Sequence, residues 1–119
     1  MLNVKFDTSN LLRNLPQINE KIKERVKSAL RETAMVDVET PAKRQCRVDT
    51  GRLRASIHTE YFGNSGKFTI APKHDLEVIV GTNVDYGRYV ERRYPFLFPA
   101  FESSRSALLQ RLKNALKDI

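Results

Sequence analysis

The alternation of apolar and polar residues along the chain predicts a helical first part, a β-rich middle and a helical end. At the N-terminus, Leu2–Asp7 alternates apolar with polar side chains, which is typical of a short strand with one apolar face. Apolar residues then recur at helical spacing from Leu15 to Thr33, with charged residues on the opposite side. This pattern predicts a long amphipathic helix that runs to about Cys46.

Capping residues and prolines mark the ends and the weak point of this helical part. The side chains of Asp7–Ser9 can cap a helical turn over Asn10–Asn14, and Pro16 suits the first turn of the long helix. Pro41 lies inside the predicted helix and lacks the N–H group that a helix interior needs. We therefore expect a kink or an interruption near Asp37.

The middle of the chain carries the period-two pattern of β-strands. Ile57–Phe62 alternates between two faces, and the turn-forming residues Gly63–Gly66 follow it. This arrangement predicts a hairpin that leads into a second strand over Lys67–Ala71. In that strand Phe68 and Ile70 would share one face.

A central strand and a short helix are predicted next. Leu76–Val80 is the most β-branched stretch of the chain, and Gly81–Asn83 is expected to end it. Asp85 is a good N-cap residue and predicts a short helix over Tyr86–Glu91. The residues of this helix expected to share a face are Tyr86, Tyr89 and Val90.

The last helix is predicted to begin at Phe98, after a loop over Arg92–Leu97. Pro99 suits the first turn of this helix, where its missing N–H would be unpaired in any case. Its apolar stripe consists of Phe101, Ser104, Leu108, Leu112, Ala115 or Leu116, and Ile119.

Together these elements predict an α+β fold in a single domain over residues 1–119. A small antiparallel sheet of three to four strands would be packed on one face by the long N-terminal helix and the C-terminal helix. The other face carries His58, Glu60, Lys67 and Glu77, and is therefore half polar. Such a face is either hydrated or in contact with another subunit.

A turn between the helical and β-rich parts organises the chain. In Val48–Ile57, Asp49 and Thr50 are good N-cap residues, and Gly51 permits a conformation that a side chain would oppose. We expect this segment to end the long helix, form one short helical turn and lead into a strand. Within the turn, Leu53 and Ile57 lie four residues apart on one side, away from Arg52 and Arg54.

Composition and charge narrow the possible functions. No apolar run approaches the length of a membrane span, and no signal peptide is recognisable. Cys46 is the single cysteine, which excludes an intramolecular disulfide and suits a reducing compartment. The net charge of +7 permits binding to nucleic acid. However, the basic excess is mixed with acidic residues along the helices, so a solvated helix face is favoured.

No catalytic, metal-binding or cofactor-binding residues are predicted. His58 and His74 each have an acidic neighbour, but their spacing matches no metal-ligand pattern. The residues around Cys46 match no nucleophile motif, so a structural thiol is favoured. An acid pair could be drawn from Asp49, Asp85 and Glu91, although capping is the preferred role for the two aspartates.

Aromatic residues and arginines are concentrated between residues 86 and 101. Such a mixture can stack nucleic-acid bases, and it is also typical of protein–protein contacts. Because several of the aromatic residues fit helix packing, we favour a subunit contact through the connector over Arg92–Phe96. The residues of this region are Tyr86, Arg88, Tyr89, Arg92, Arg93, Tyr94, Phe96, Phe98 and Phe101.

Three blocks of sequence, in this order and spacing, resemble the tail-component family of long-tailed bacteriophages. They comprise residues 42–57, 80–91 and 95–100. Two positions depart from the family pattern: Arg47 replaces a proline, and Arg92–Tyr94 replaces a longer aromatic-Gly-Thr loop. The block residues expected to have structural roles are Asp49, Thr50, Gly51, Arg52, Leu53, Ser56, Gly81, Tyr86, Tyr89, Glu91 and Pro99.

The resemblance implies a non-enzymatic virion protein of a tailed phage or prophage. It would act in tail completion, joining tail to head at the neck as a homo-oligomeric ring, with six copies expected around the DNA channel. Its partners would be neighbouring neck and tail proteins and, without sequence preference, the DNA in the channel. No membrane is implied, and assembly would occur in the bacterial host cytoplasm. The alternatives are a small basic nucleic-acid-binding module or a small nuclease.

Two sets of contacts are expected from this interpretation. Arg52 or Arg54 should form an ion pair with Glu91, because the blocks that carry them have opposite charges. Subunit contacts are expected at the hairpin tip and at the aromatic connector. The residues of these contacts are Asn64, Ser65, Lys67, Arg92, Arg93, Tyr94 and Phe96.

Overall fold

The computed structural model describes residues 2–8, 20–46 and 51–117 and confirms the α+β class. None of its helices combines the length and the apolar character needed to cross a membrane, within the residues described. Along the chain the elements are β1 (Leu2–Asp7), α1 (Glu20–Glu32), a π-helical segment (Thr33–Glu39), α2 (Thr40–Gln45), α3 (Arg52–Ser56), β2 (His58–Tyr61), β3 (Glu77–Thr82), α4 (Gly87–Arg93) and α5 (Leu97–Leu116).

The sheet is antiparallel, with β3 between β1 and β2. All six residues of β3 are buried, which is why its sequence is almost continuously apolar and β-branched. The strand was expected to end before Gly81, but it includes both Gly81 and Thr82. Gly81 pairs with Asn3 on one side and His58 on the other, so it lies inside the ladder.

One face of the sheet forms the main core with the helices. Leu2, Val4 and Phe6 of β1 point to this face, as their alternation predicts, together with Val78 and Val80 of β3. The helical residues packed in this core include Leu30, Ala34, Val38, Leu97 and Ala100.

The long helix passes through Pro41 without interruption. Over Thr33–Glu39 it adopts the wider π-helical form, and the Thr40 N–H donates to the Met35 carbonyl, five residues earlier. In a regular helix, the Pro41 ring would clash with the carbonyl of Asp37. The wider turn relieves that clash. The helix therefore changes locally to the π-helical form where a kink or an interruption was expected.

The predicted strand over Lys67–Ala71 is not formed. The N–H groups of Gly66 and Lys67 donate to the Glu60 carboxylate instead of a neighbouring strand. Phe68 is buried with its ring 4.2 Å from that of His58, whereas Ile70 is exposed. The chain between β2 and β3 therefore crosses the β2 side of the half-polar face, whereas Lys5 on the β1 side of that face is exposed.

The boundaries of the last two helices differ slightly from the prediction. α4 begins at Gly87, with Tyr86 rather than Asp85 at the N-cap position. α5 begins at Leu97, which places Pro99 in its first turn as expected. Ser104 and Leu112 of its predicted apolar stripe are buried, whereas Ile119 lies outside the described residues.

We predict that Gly81→Ala destabilises the protein by about 2 kcal/mol, a typical cost of overpacking. A Cβ atom at this position would meet the Leu2 carbonyl oxygen and lie 2.9 Å from the Asn3 Cα, both in the backbone of β1. Urea denaturation measures the change. Ser103→Ala, on the exposed side of α5, should shift the free energy of unfolding by less than about 0.5 kcal/mol. Equal stability of the two variants would contradict the prediction.

Candidate functional site

The sequence blocks meet at one place, beside the end of β3. The Ser56 hydroxyl of α3 donates to the Leu53 carbonyl and also contacts the Thr82 hydroxyl. Because the single Ser56 proton is used in this way, Thr82 is the donor in their shared bond. The Thr82 hydroxyl oxygen also accepts from the Val84 N–H. We call this region the motif junction; it comprises residues 51–57, 80–91 and 95–100.

Two glycines shape the motif junction, one through its backbone conformation and the other through close packing. Gly51 has a left-handed backbone conformation (φ 77°) immediately before α3. A Cβ at Gly87 would lie only 3.0 Å from the Thr82 methyl group and 3.3 Å from a Leu53 methyl group. Gly87 thus lets α4 pack against α3 and β3. Asp49 and Thr50 lie outside the described residues, and their capping role stays a prediction.

The buried Glu91 carboxylate joins α4 to α5. One of its oxygens accepts from the Leu97 N–H at 2.7 Å and from the Phe96 N–H at 3.4 Å. These N–H groups stand at the start of α5, where a helix has no backbone acceptors of its own and favours a negative charge. Pro99 in the same turn has no N–H to satisfy. The sequence offered no local signal for this contact, because the capping residue precedes the helix by six positions.

The expected ion pair between Glu91 and an arginine of α3 is wrong. Arg54 donates instead to the Cys46 carbonyl at 2.9 Å. Among the ion pairs between described residues, none joins Glu91 to Arg52 or Arg54. Glu91 is held by backbone donors, which satisfy a buried carboxylate without a second buried charge.

The tyrosines of α4 do not share a face, contrary to the prediction. Tyr86 and Val90 pack against the main core, whereas Tyr89 is 70% exposed. Tyr89 lies instead on the outward side of the helix with three arginines. We call this side the α4 outer face; its residues are Arg88, Tyr89, Arg92 and Arg93.

An apolar groove of about 570 Å³ opens beside the motif junction. Phe98, which is 49% exposed, contributes to its wall, and Tyr94 on the adjoining connector is 39% exposed. Phe96 is fully buried in the main core, so it is not available for the subunit contact expected of it. The groove is lined by Leu2, Arg88, Glu91, Arg92, Pro95, Phe98, Pro99 and Glu102.

The turn predicted as a hairpin tip is exposed, although the second strand of that hairpin is not formed. Asn64, Ser65 and Lys67 are all exposed, and Asn64 forms a bridge back to Tyr61. Phe62, at the base of this tip, is half exposed. The tip is accessible to a neighbouring subunit, and a contact there stays a prediction.

A polar cluster fastens the chain after the hairpin to the sheet. The Glu60 carboxylate accepts from the His58 ring at 2.7 Å and from the N–H groups of Gly66 and Lys67 at 3.3 and 3.2 Å. The other His58 nitrogen faces the Ser56 carbonyl at 2.9 Å, so both bonds form together only when the ring carries two protons. Burial opposes ionisation of Glu60, but these hydrogen bonds outweigh it and lower its pKa. We call this cluster the Glu60 clasp.

A second histidine lies between two carboxylates at the other end of the sheet. The His74 Nε2 atom is 3.6 Å from Asp7 and 3.7 Å from Glu77, and all three side chains could offer metal ligands. However, the Leu76 N–H donates to His74 Nδ1, which places the proton of a neutral ring on Nε2. A metal would need a lone pair at Nε2 and a proton at Nδ1. The arrangement fits a neutral imidazole that faces two carboxylates, beside an ion pair in which Lys5 approaches Glu77 at 3.7 Å.

Cys46 has the environment of a structural thiol. It is buried in the main core, and this burial raises the pKa of the thiol, despite the opposing charge of nearby Arg54. A nucleophilic cysteine needs a lowered pKa and access to a substrate.

The sequence blocks of the motif junction belong largely to a region that matches a known protein family. Residues 9–92 match the model of the family described as "Bacteriophage HK97-gp10, putative tail-component". The match covers the first two blocks and ends before α5, so the third block and the groove wall at Phe98 lie outside it. No curated protein and no solved structure matches the chain.

The Glu60 clasp predicts a specific response to acid. Because the pKa of Glu60 is lowered in the folded protein, its contribution to stability is present above the ordinary value of 4.5. The contribution is lost as pH falls through the lower folded value. An NMR titration of the Gly66 and Lys67 amide protons should show a midpoint below 4.5.

Glu60→Gln should remove this titration and cost about 2 kcal/mol, the scale of hydrogen bonds to a charged group. Glu102→Gln is the matched control, because Glu102 is exposed and pairs only with Arg105 in the described structure. A midpoint at or above 4.5, or equal stability losses in the two variants, would refute the role of the clasp.

Proposed function

We propose a specific assembly role for this chain, from the premise that it belongs to the bacteriophage HK97 gp10 family of tail components. Membership makes it a structural component of a phage virion. The proposed role is tail completion, in which the protein joins a tail to a filled head at the neck. Several copies, with six expected, would form a ring around the DNA channel.

The apolar groove is the observation that carries this proposal. Apolar surface that remains open beside a rigid junction is typical of a protein–protein contact. Its wall is held in place by the Glu91 bonds to the start of α5 and by the restricted backbones of Pro95 and Pro99. A neighbouring copy could therefore meet a preformed surface that includes Phe98.

A ring needs a second, different surface on each copy, because head-to-tail contacts join two unlike patches. The hairpin tip is our candidate for this surface, since Asn64 and Ser65 project and Phe62 adds an exposed apolar side chain. The edge strands β1 and β2 offer further backbone groups to a neighbour. The proposed contact thus keeps Tyr94 from the sequence expectation and uses Phe98 in place of Phe96.

We also propose that the protein has no enzymatic activity. Among the described residues, two side chains that could support catalysis have structural tasks: Glu91 caps α5, and Cys46 lies in the core. His58 is likewise engaged by the Glu60 carboxylate. Of the alternatives, a nucleic-acid-binding role has support from the exposed arginines of the α4 outer face.

Reconstitution tests the joining role. Heads and tails made without this protein should fail to join, and the purified protein should restore infectious particles. The double variant Tyr94→Ser and Phe98→Ser should stay folded, since both side chains are exposed, and should fail to restore joining.

Leu109→Ser is the matched control, because Leu109 is 59% exposed on α5 and does not line the groove. It should restore joining at the wild-type level. Normal activity of the Tyr94 and Phe98 double variant would exclude the groove as the contact, and failure of the wild-type protein would exclude the joining role. Phe96→Ser is unsuitable as a test, since losing a buried phenylalanine costs about 3 kcal/mol or more.

An activity screen tests the absence of catalysis. The purified protein should release no product from DNA, RNA or peptide substrates with Mg²⁺, Mn²⁺ or Zn²⁺ present. Metal-dependent turnover that disappears in Asp49→Asn, Asp85→Asn or Glu91→Gln would overturn the proposal. Folding of each variant is checked by circular dichroism, because Glu91 also holds α5 in place.

A further inference from the structure

Helix α4 has a buried face and an outer face, and three of the four side chains of the outer face are arginines. Gly87 and Glu91 are buried and Val90 packs on the core, so the remaining side chains of its length point outward. Arg88 and Arg92 are four residues apart and therefore adjacent on the helix surface. Tyr89 and Arg93 form the next row of the same face.

Two of the three guanidinium groups of this face are not used by the fold. Two arginines elsewhere join distant elements of the fold: Arg25 donates to the Ala115 carbonyl, and Arg111 pairs with Asp37. Within residues 2–8, 20–46 and 51–117, neither Arg88 nor Arg92 donates a hydrogen bond or forms an ion pair. Their charges are thus available to something outside the chain.

Arg88, Tyr89 and Arg92 line a small pocket of about 140 Å³. Guanidinium groups present planar pairs of donors that match phosphate oxygens, and tyrosine hydroxyl groups also bind phosphate. Asp85 lines the pocket too, which leaves two guanidinium charges against one carboxylate. The pocket therefore suits a phosphate group better than a neutral ligand.

The charge of the rest of the chain argues for a nucleic acid rather than a second copy as the partner of this face. The acidic side chains that have partners in the described structure include Glu24, Glu32, Asp37, Glu39, Glu60, Glu77 and Glu102. Among described residues, three exposed or half-exposed acids have no such partner. Glu20 lies in α1, Asp75 lies in the chain before β3, and Asp85 lies in the turn before α4. The exposed acids Glu20 and Glu24 of α1 alternate with lysines and an arginine, so the described residues offer no continuous acidic surface to three guanidinium groups, whereas a polyanion does.

We propose that the α4 outer face binds the phosphate backbone of DNA without sequence preference. The choice of double-stranded DNA rests on the proposed function, since that is the polymer in the neck channel. Contacts to phosphates alone carry no base readout, so the strand can slide past them. This assigns Arg88, Tyr89, Arg92 and Arg93 to the lumen side of the proposed ring.

The test measures binding of the full chain to a fluorescently labelled DNA duplex over a series of salt concentrations. The double variant Arg88→Gln and Arg92→Gln should lower the slope of log K against log salt by about 1.8, at roughly 0.9 for each phosphate that is no longer neutralised. Arg88→Lys with Arg92→Lys should keep the slope, because the charges remain.

Lys113→Gln with Lys117→Gln is the matched control, with the same reduction in charge. Lys113 lies in the last turn of α5 and Lys117 directly follows the helix, about 24 and 30 Å from its start at a rise of 1.5 Å per residue. The control should keep the wild-type slope. Sedimentation must give the same oligomeric state for all variants, since Arg88 and Arg92 also line the groove.

Three outcomes would overturn the proposal: no duplex binding by the wild-type protein at low salt, an unchanged slope for the arginine-to-glutamine variant, or an equally lowered slope for the lysine control. Failure of the proposed function is a separate result. A wild-type protein that binds DNA through α4 but does not join heads to tails would refute the joining role and leave the DNA surface intact.

Discussion

The Glu91 carboxylate is buried beneath the first turn of α5, where backbone N–H groups of Phe96 and Leu97 hold it. A buried carboxylate is costly unless it is fully bonded, so its position fixes both α4 and the start of α5. The groove, the connector at Tyr94 and the orientation of the α4 outer face all follow from that attachment. One internal contact thus positions the two surfaces to which we assign external partners.

The charged residues of the protein fall into two populations. Some act between elements: Arg111 of α5 reaches Thr33 and Asp37 in the π-helical segment, and Glu60 holds the chain that follows the hairpin. Others, above all Arg88 and Arg92, form no hydrogen bond or ion pair within the part of the chain that the structure describes. Composition alone shows only the total of +7, whereas the structure separates the charges that hold the molecule together from those that remain for recognition.

Periodic patterns predicted the regular elements, because each records which face of a strand or helix is buried. β1, β3 and the stripe of α5 were found in this way. The strand expected over Lys67–Ala71 failed because its N–H groups bond to the side chain of Glu60, a competition that local alternation does not register.

The candidate site was harder to predict than the fold, because its contacts join distant positions. Gly51 stands in a left-handed conformation before α3 and Glu91 caps α5, but the partner assigned to Glu91 was wrong. Phe96 was expected at a subunit contact but is buried in the core. Tyr89 was expected to pack with Tyr86 and Val90 but is exposed. Aromatic residues in a short connector carry no sequence signal that separates an anchor from an exposed contact.

The covered face of the sheet limits how copies can be arranged. Ile79 points to that face and is fully buried, and the ring of Phe68 lies against His58 on the β2 side of the same face. In the proposed ring, a neighbour would therefore not stack its own sheet on this one, as the two sheets of a β-sandwich do. The copies of such a ring would instead contact one another laterally, side by side. The wall of the ring would be a single protein layer thick. The diameter of its channel would increase with the number of copies, with little change in the fold of each copy.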